Sequence, residues 1–372
     1  MSHHIAIVGS GQLARMMALD GIPMGMTFSF LAEAKEDTRC VDKLGIVVIR
    51  KHTDSAEALF QALGKPDVIT VEKEHVDVDL LNKFTSMCAV HPNPSALETL
   101  KNRRIEKQFL QSLNIPIANF HSVTNKAQLQ AAIDTLQKPI FLKSEEEGYD
   151  GYNQYKVTDD NAKQVMDEIA FPSYWVAESF IPFQREVSFL AARTSDNNIV
   201  MYPAVENYHR NGTLLTSLAP APNISEQQID NAREMLTKIM TTLDYVGLMC
   251  MECFVWDNKI LVNEIAPRVH NSGHWTSKGA LTSQFENHLR AVIQLPLGST
   301  ETCNISGMLN LLGVSMTAEQ ACDANSYLTL YGKTTRARRK LGHVTVCGSS
   351  YEEVTTRLKA LEALVYGAAE QA

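Results

Sequence analysis

Apolar residues first gather at Ile5-Ala-Ile-Val8, a short run closed by Gly9-Ser-Gly11, which predicts a buried strand ending in a glycine turn. The spacing then changes to that of a helix over residues 12–19. Strand-like runs at 47–49 and 68–71 alternate with helical segments such as 55–63, so parallel βα repetition is expected to about residue 92. His91-Pro-Asn-Pro-Ser95 punctuates the chain, and a charged helix is expected over 95–113. Beyond Ile115-Pro116 the pattern becomes α+β, with strands near 139–143, 175–180 and 185–193. Two further apolar runs, 247–255 and 259–265, are separated only by Trp256-Asp257-Asn258 and predict a hairpin. From about residue 298 the chain turns to short strands at 306–312, 327–331 and 343–347. The expected fold class is α/β and α+β multidomain: a Rossmann-like unit over 1–97, an α+β unit over 98–295 and a small β-rich unit over 296–372.

With 372 residues and 45% hydrophobic content, the chain can bury two or three cores. Its net charge of −8 argues against a nucleic-acid-binding surface, so any anion site must be local. No run is long enough to span a bilayer and no cleavable leader is evident, which predicts a cytoplasmic protein without a membrane partner. Seven scattered cysteines predict free thiols. Cys250 and Cys253 have redox or zinc spacing, but in a strand they point to opposite faces and read as core residues.

The densest chemistry lies after the second strand of the hairpin. Asn263 and Glu264 end the apolar run, and Arg268, His270, Asn271 and His274 follow on a loop containing proline and glycine. Across the hairpin, Glu252 can approach Glu264. Paired carboxylates beside a nucleotide suit Mg²⁺, although two strand acids can also simply face solvent. Lys143 ends another strand, and Gly148-Tyr-Asp-Gly-Tyr-Asn-Gln154 follows as a turn able to cover phosphates. Glu145, Glu146 and Glu147 would repel a phosphate there unless they point away. Glu178, Glu186 and His209 form a weaker polar set. Lys333 and the basic run 336–340 read as a surface loop or a phosphomonoester clamp, the clamp being favoured. A dinucleotide fingerprint at Gly9 would need a glycine where Ala14 stands, and Glu33 as its ribose acid.

Together these segments resemble the ATP-grasp carboxylate–amine ligases, and within them the N5-carboxyaminoimidazole ribonucleotide synthetases of purine biosynthesis. The resemblance runs nearly end to end and is most specific at Asn-Glu-Ile-Ala-Pro-Arg-Val-His-Asn-Ser-Gly-His-Trp-Thr, residues 263–276. It implies a preATP-grasp domain, an ATP-grasp domain and a small C-terminal domain. The implied reaction joins bicarbonate to the amine of 5-aminoimidazole ribonucleotide through carboxyphosphate, with ATP and Mg²⁺ as cofactors and a homodimer as the assembly. By position, ATP would be held by Arg103, Lys143, Gly148, Tyr149, Asp150, Gly151, Tyr152, Asn153, Gln154, Glu178, Ser179, Phe180, Ile181, Glu186, His209, Asn263 and Glu264. Glu252 and Glu264 would hold the metal. Arg268 and His270 would face the bicarbonate-derived group, with Lys143 and Asp150 also catalytic. Glu72, Tyr149, Asp150, Lys333, Arg339 and Lys340 would contact the ribonucleotide.

The chain departs from that pattern in places. Glu147, Tyr152 and Asn153 replace two glycines and a lysine of the covering loop, Ser179 replaces a frequent acid, and Ala337-Arg338 replaces Pro-Gly. Weaker phosphate binding is expected. Three readings follow: an active ligase, a catalytically weak nucleotide- or metabolite-binding relative, and a ligase acting on another phosphorylated amine. Turnover with 5-aminoimidazole ribonucleotide separates the first from the others.

Overall fold

The computed structural model describes residues 3–146, 153–323 and 325–367. The first sheet is parallel and contains β1 (His4–Val8), β2 (Thr27–Glu33), β3 (Ile46–Arg50), β4 (Val68–Val71) and β5 (Ala89–Val90), in the order β3-β2-β1-β4-β5. Helices α1 (Gln12–Gly21), α2 (Ala56–Ala62), α3 (Val78–Phe84) and α4 (Pro94–Leu100) accompany it. Ile5 and Ile7 pack on one face of β1 while Ala6 and Val8 pack on the other, which is why the strand reads as an unbroken apolar run.

The charged segment expected as one helix is two. After α4, a new helix α5 (Arg103–Ser112) begins because the Asn102 side chain accepts hydrogen bonds from the backbone N–H groups of Arg104 and Ile105, both at 3.1 Å. An asparagine in that role offers the backbone an alternative to helix continuation.

A second, antiparallel sheet holds β6 (Phe120–Val123), β7 (Ile140–Ser144), β8 (Gln154–Val157) and β9 (Trp175–Ser179), ordered β6-β9-β7-β8. The third is the largest. It comprises β10 (Arg185–Arg193), β11 (Ile199–Met201), β12 (Val205–Arg210), β13 (Thr213–Ala219), β14 (Gly247–Trp256), β15 (Lys259–Ala266), β16 (Ile305–Leu312), β17 (Ser326–Leu330) and β18 (Lys340–Gly348). Its order is β15-β14-β10-β12-β13-β16-β18-β17, with β11 beside β10. The C-terminal strands therefore continue the central sheet, since β13 pairs with β16 from Thr216↔Leu309 to Ala219↔Ser306.

Cys250 and Cys253 belong to apolar clusters on opposite faces of β14, as strand alternation requires, and all seven cysteines are free thiols. Among the described residues no helix is long and apolar enough to cross a membrane. Two of the glycine replacements keep a glycine-like backbone: Asn153 has φ +52° and Arg338 has φ +60°. Asparagine tolerates that region, whereas an arginine there is strained by about 1 kcal/mol.

Candidate active site

The β14–β15 hairpin builds the centre of the site. Glu252 and Glu264 are direct cross-strand partners, but the next pair is Cys253 with Val262, which leaves Asn263 as the extra residue of a bulge. Regular alternation would put Asn263 and Glu264 on opposite faces. With the bulge, both are half-buried while Val262 and Ile265 enter the core. The hairpin thus brings the two expected acids together.

They border a cavity of about 420 Å³ that is also lined by Glu72, Arg103, His209, Arg268, His270 and Lys340. Burial first, and then the neighbouring Glu264 carboxylate, push the Glu252 carboxyl up to about 7 against the opposing pull of His209 and Lys340. His270 Nε2 lies 3.1 Å from Glu252 Oε1, and its Nδ1 accepts the Ser272 N–H at 3.3 Å. Burial, then Arg268 and Lys340, hold that imidazole well below its ordinary pKa, so the neutral ring donates from Nε2 to the carboxylate. On the far wall, His209 Nδ1 meets Glu186 at 2.7 Å. Burial alone would lower the His209 pKa, but Glu186 and the site acids raise it. Arg268 reaches Glu74 at 2.6 Å.

A second polar group adjoins Glu264. Lys143 Nζ donates to Glu178 at 3.0 Å and to the Asn263 side-chain oxygen at 3.3 Å. Burial would raise the Glu178 carboxyl, yet Lys107, Lys143 and Arg103 overcome it and hold it at about 2. Burial also lowers the Lys143 pKa, and the like charges of Arg103 and Lys107 add to this despite the Glu178 partner. Arg103 reaches Glu264 at 3.5 Å from the start of α5.

Sequence reading missed Glu106, Lys107 and the role of Glu145. All three are charged residues that the pattern reads as solvated, and all three are buried. Glu145 borders the main cavity, but its carboxylate is engaged: it accepts from Arg104 Nε at 3.0 Å and from Asn102 at 3.2 Å, tying the β7–β8 connection to the start of α5. Its main-chain oxygen also accepts the Arg103 N–H at 2.9 Å.

Other expected residues lie apart. Ser179 lines a separate recess of about 580 Å³ with Asn119 and His121, and the Phe180 ring packs 6.1 Å from Phe141. Ile181 follows, its carbonyl accepting the Phe183 N–H at 2.9 Å. Lys333 reaches Gln12. Arg339 is bound to Asp37 at 2.9 Å, while Arg338 turns to the Asn211 carbonyl at 2.8 Å. The basic run therefore diverges, with Lys340 alone of it lining the main cavity. His274 is a core residue packed against Phe285, Tyr331 and His343. Glu147, Gly148, Tyr149, Asp150, Gly151 and Tyr152 lie outside the described residues; Asn153 and Gln154 lead into β8. The glycine turn at Gly9 holds no open phosphate cradle, because Glu72 fills it by accepting from the N–H groups of Gly11 at 2.5 Å and Ala14 at 2.9 Å.

A Rossmann-like unit, a small antiparallel sheet and a long sheet carrying paired acids at its edge define an ATP-grasp protein. The profile described as ATP-grasp domain matches residues 108–285, the ribonucleotide synthetase preATP-grasp domain matches 2–101, and the phosphoribosylaminoimidazole carboxylase C-terminal domain matches 306–357. The N5-carboxyaminoimidazole ribonucleotide synthase of Vibrio vulnificus is 40% identical over 96% of this chain and 94% of its own. The crystal structure of the N5-carboxyaminoimidazole ribonucleotide synthetase from Thermus thermophilus superposes with a TM-score of 0.90 at 37% identity, covering 97% of this chain and 98% of that one. That of the Aspergillus clavatus N5-carboxyaminoimidazole synthase, in complex with ADP and 5-aminoimidazole ribonucleotide, gives 0.88 at 28% identity, covering 98% and 99%. The chain belongs to the N5-carboxyaminoimidazole ribonucleotide synthase family.

Proposed function

We propose that this protein is an ATP-dependent ligase that joins bicarbonate to the exocyclic amine of 5-aminoimidazole ribonucleotide, giving N5-carboxyaminoimidazole ribonucleotide, ADP and phosphate. The observation that carries this reading is the convergence of Glu252, Glu264, Arg268 and His270 on one cavity, in a chain whose Aspergillus relative was crystallised with ADP and 5-aminoimidazole ribonucleotide.

Bicarbonate is a poor electrophile, and phosphorylation to carboxyphosphate gives its carbon a leaving group. The residues must then neutralise charge and align the attacking oxygen. Glu252 and Glu264 fit Mg²⁺, because two opposed carboxylates, one of them pushed up to about 7, are relieved by a divalent cation. When bound there, Mg²⁺ supplies charge neutralisation to the phosphates of ATP.

Lys143 and Arg103 offer cations beside that pair, with Glu178 and Asn263 fixing the lysine. Glu186 and His209 complete the nucleotide side with Ser179, Phe180 and Ile181, and Gly148, Tyr149, Asp150, Gly151, Tyr152, Asn153 and Gln154 form its cover. Arg268 and His270 face the bicarbonate-derived group. On the ribonucleotide side stand Glu72, Tyr149 and Asp150, with Lys333, Arg339 and Lys340 toward its phosphate. Asp150 accepts the amine proton, a role that requires reach above all. The family also carries the expectations of bicarbonate as the carbon source, a homodimer and a cytoplasmic location.

The test is ADP release with MgATP and bicarbonate, with and without 5-aminoimidazole ribonucleotide, alongside detection of the carboxylated product. Stoichiometric product supports the ligase. Saturable nucleotide binding without turnover favours the weak relative, a reading motivated by Glu147, Tyr152 and Asn153 in the covering loop.

A further inference from the structure

β15 is an edge strand, so β14 satisfies only one row of its backbone groups. On the open side the Val262 N–H donates to the Pro116 carbonyl at 2.8 Å. The neighbouring edge groups are taken by side chains. Lys107 Nζ donates to the Asn263 carbonyl at 2.8 Å, and Glu106 Oε1 accepts the Ile265 N–H at 3.1 Å. Both side chains belong to α5 and are buried, Lys107 at 0% and Glu106 at 4% exposure. Burying an acid and a base this deeply is costly unless each makes specific bonds. Here the bonds fall on the peptide groups immediately before and after Glu264, at the bulge where the ladder has lost its register.

We propose that Glu106 and Lys107 are positioning residues that grip the backbone on both sides of Glu264 and fix the aim of its carboxylate. This rests on the reading of Glu264 as a cation ligand. A bulge lets Glu264 border the cavity while the neighbouring Asn263 side chain meets Lys143, at the expense of local order, and α5 restores that order from outside the sheet. The start of α5 is itself fastened to the β7–β8 connection through Asn102, Arg104 and Glu145, so the grip has a fixed base.

Two substitutions separate this bond from a general need for an acid at this position. Glu106→Asp keeps the carboxylate but withdraws it by one methylene, out of reach of Ile265. Glu106→Gln removes the ionisable carboxyl and keeps an oxygen in place. The measurement is Mn²⁺ affinity of the full-length protein in the presence of ADP, read by electron paramagnetic resonance, together with ADP release at varied Mg²⁺. The Asp variant should bind Mn²⁺ at least tenfold more weakly and the Gln variant within threefold of wild type. The reverse order, or wild-type affinity in both, overturns the proposal. Should the Asp variant not fold, Lys107→Met removes the other half of the grip, and wild-type Mn²⁺ affinity there likewise overturns it. Wild-type protein that binds Mn²⁺ and ADP without carboxylating 5-aminoimidazole ribonucleotide refutes the proposed reaction and leaves this inference standing.

Discussion

Two strand ends in this molecule carry a turn and an acid, and they reach opposite outcomes. At the end of β1, the N–H groups of Gly11 and Ala14 point toward an anion, and Glu72 supplies it from within the chain. Gly9 and Gly11 serve that arrangement: a Cβ on Gly9 would stand 2.3 Å from Glu72 Cγ, and one on Gly11 would stand 2.8 Å from Glu72 Oε1. At the end of β15 the polar demand stays open. Glu252 is pushed up by burial and then by its neighbour Glu264, and neither polar atom of the buried Asn271 side chain has a hydrogen-bond partner among the described residues. A motif therefore marks a ligand site when the fold leaves its charges and donors unmet, and marks internal architecture when the fold meets them.

The largest test of that contrast is Glu264→Gln. It should reduce ADP release at least a thousandfold, about 4 kcal/mol of transition-state stabilisation, while circular dichroism and the melting temperature stay near wild type. Wild-type ADP release would remove Glu264 from the mechanism. Gly9→Ala should act on the other side. With φ +122° at this position and Glu72 in the way, urea unfolding should show a loss of about 3 kcal/mol; an unchanged midpoint would refute the packing argument.

The pH dependence offers a third test. The Glu252 carboxyl is pushed up to about 7 in the folded protein, so between pH 4.5 and 7 the unfolded chain binds fewer protons and metal-free stability falls as pH rises. Glu106, pushed up to about 8 chiefly by burial, adds to the same slope. Glu252→Gln should stabilise the metal-free protein at pH 8 by on the order of 2 kcal/mol and leave it near wild type at pH 4.5. Equal effects at both values would contradict the assigned burial and repulsion. The smallest effect concerns Arg338→Gly. Relief of the positive φ should gain about 0.5 kcal/mol in urea unfolding, the lost Asn211 contact offsetting part of it.

Much of this was legible in sequence because strand ends are where apolar periodicity stops. Asn263, Glu264, Arg268 and His270 stand just past such a stop, and the short connection at 256–258 announced the hairpin that brings Glu252 to Glu264. The bulge was not legible, since one extra residue leaves the apolar pattern of β15 intact. Glu106 and Lys107 were hidden for a related reason: charge on a helix ordinarily signals solvent, and these two are inside because they meet the open edge of β15, with Lys107 also 3.5 Å from Glu178. His274 misled in the opposite sense, being a polar residue in a polar string that stacks in the core. The pairing of β13 with β16 joins segments far apart in the chain, beyond the reach of any local pattern.

The carboxylate of Glu72 has one further consequence. A group tethered within the same fold meets its partners at an effective concentration of millimolar or higher, however dilute the protein. A free dinucleotide seeking the glycine turn must outcompete that tethered group, and must also part it from two backbone donors. The glycine turn keeps the outline of a dinucleotide-binding motif, yet it should be indifferent to rises and falls in the cellular pools of dinucleotides.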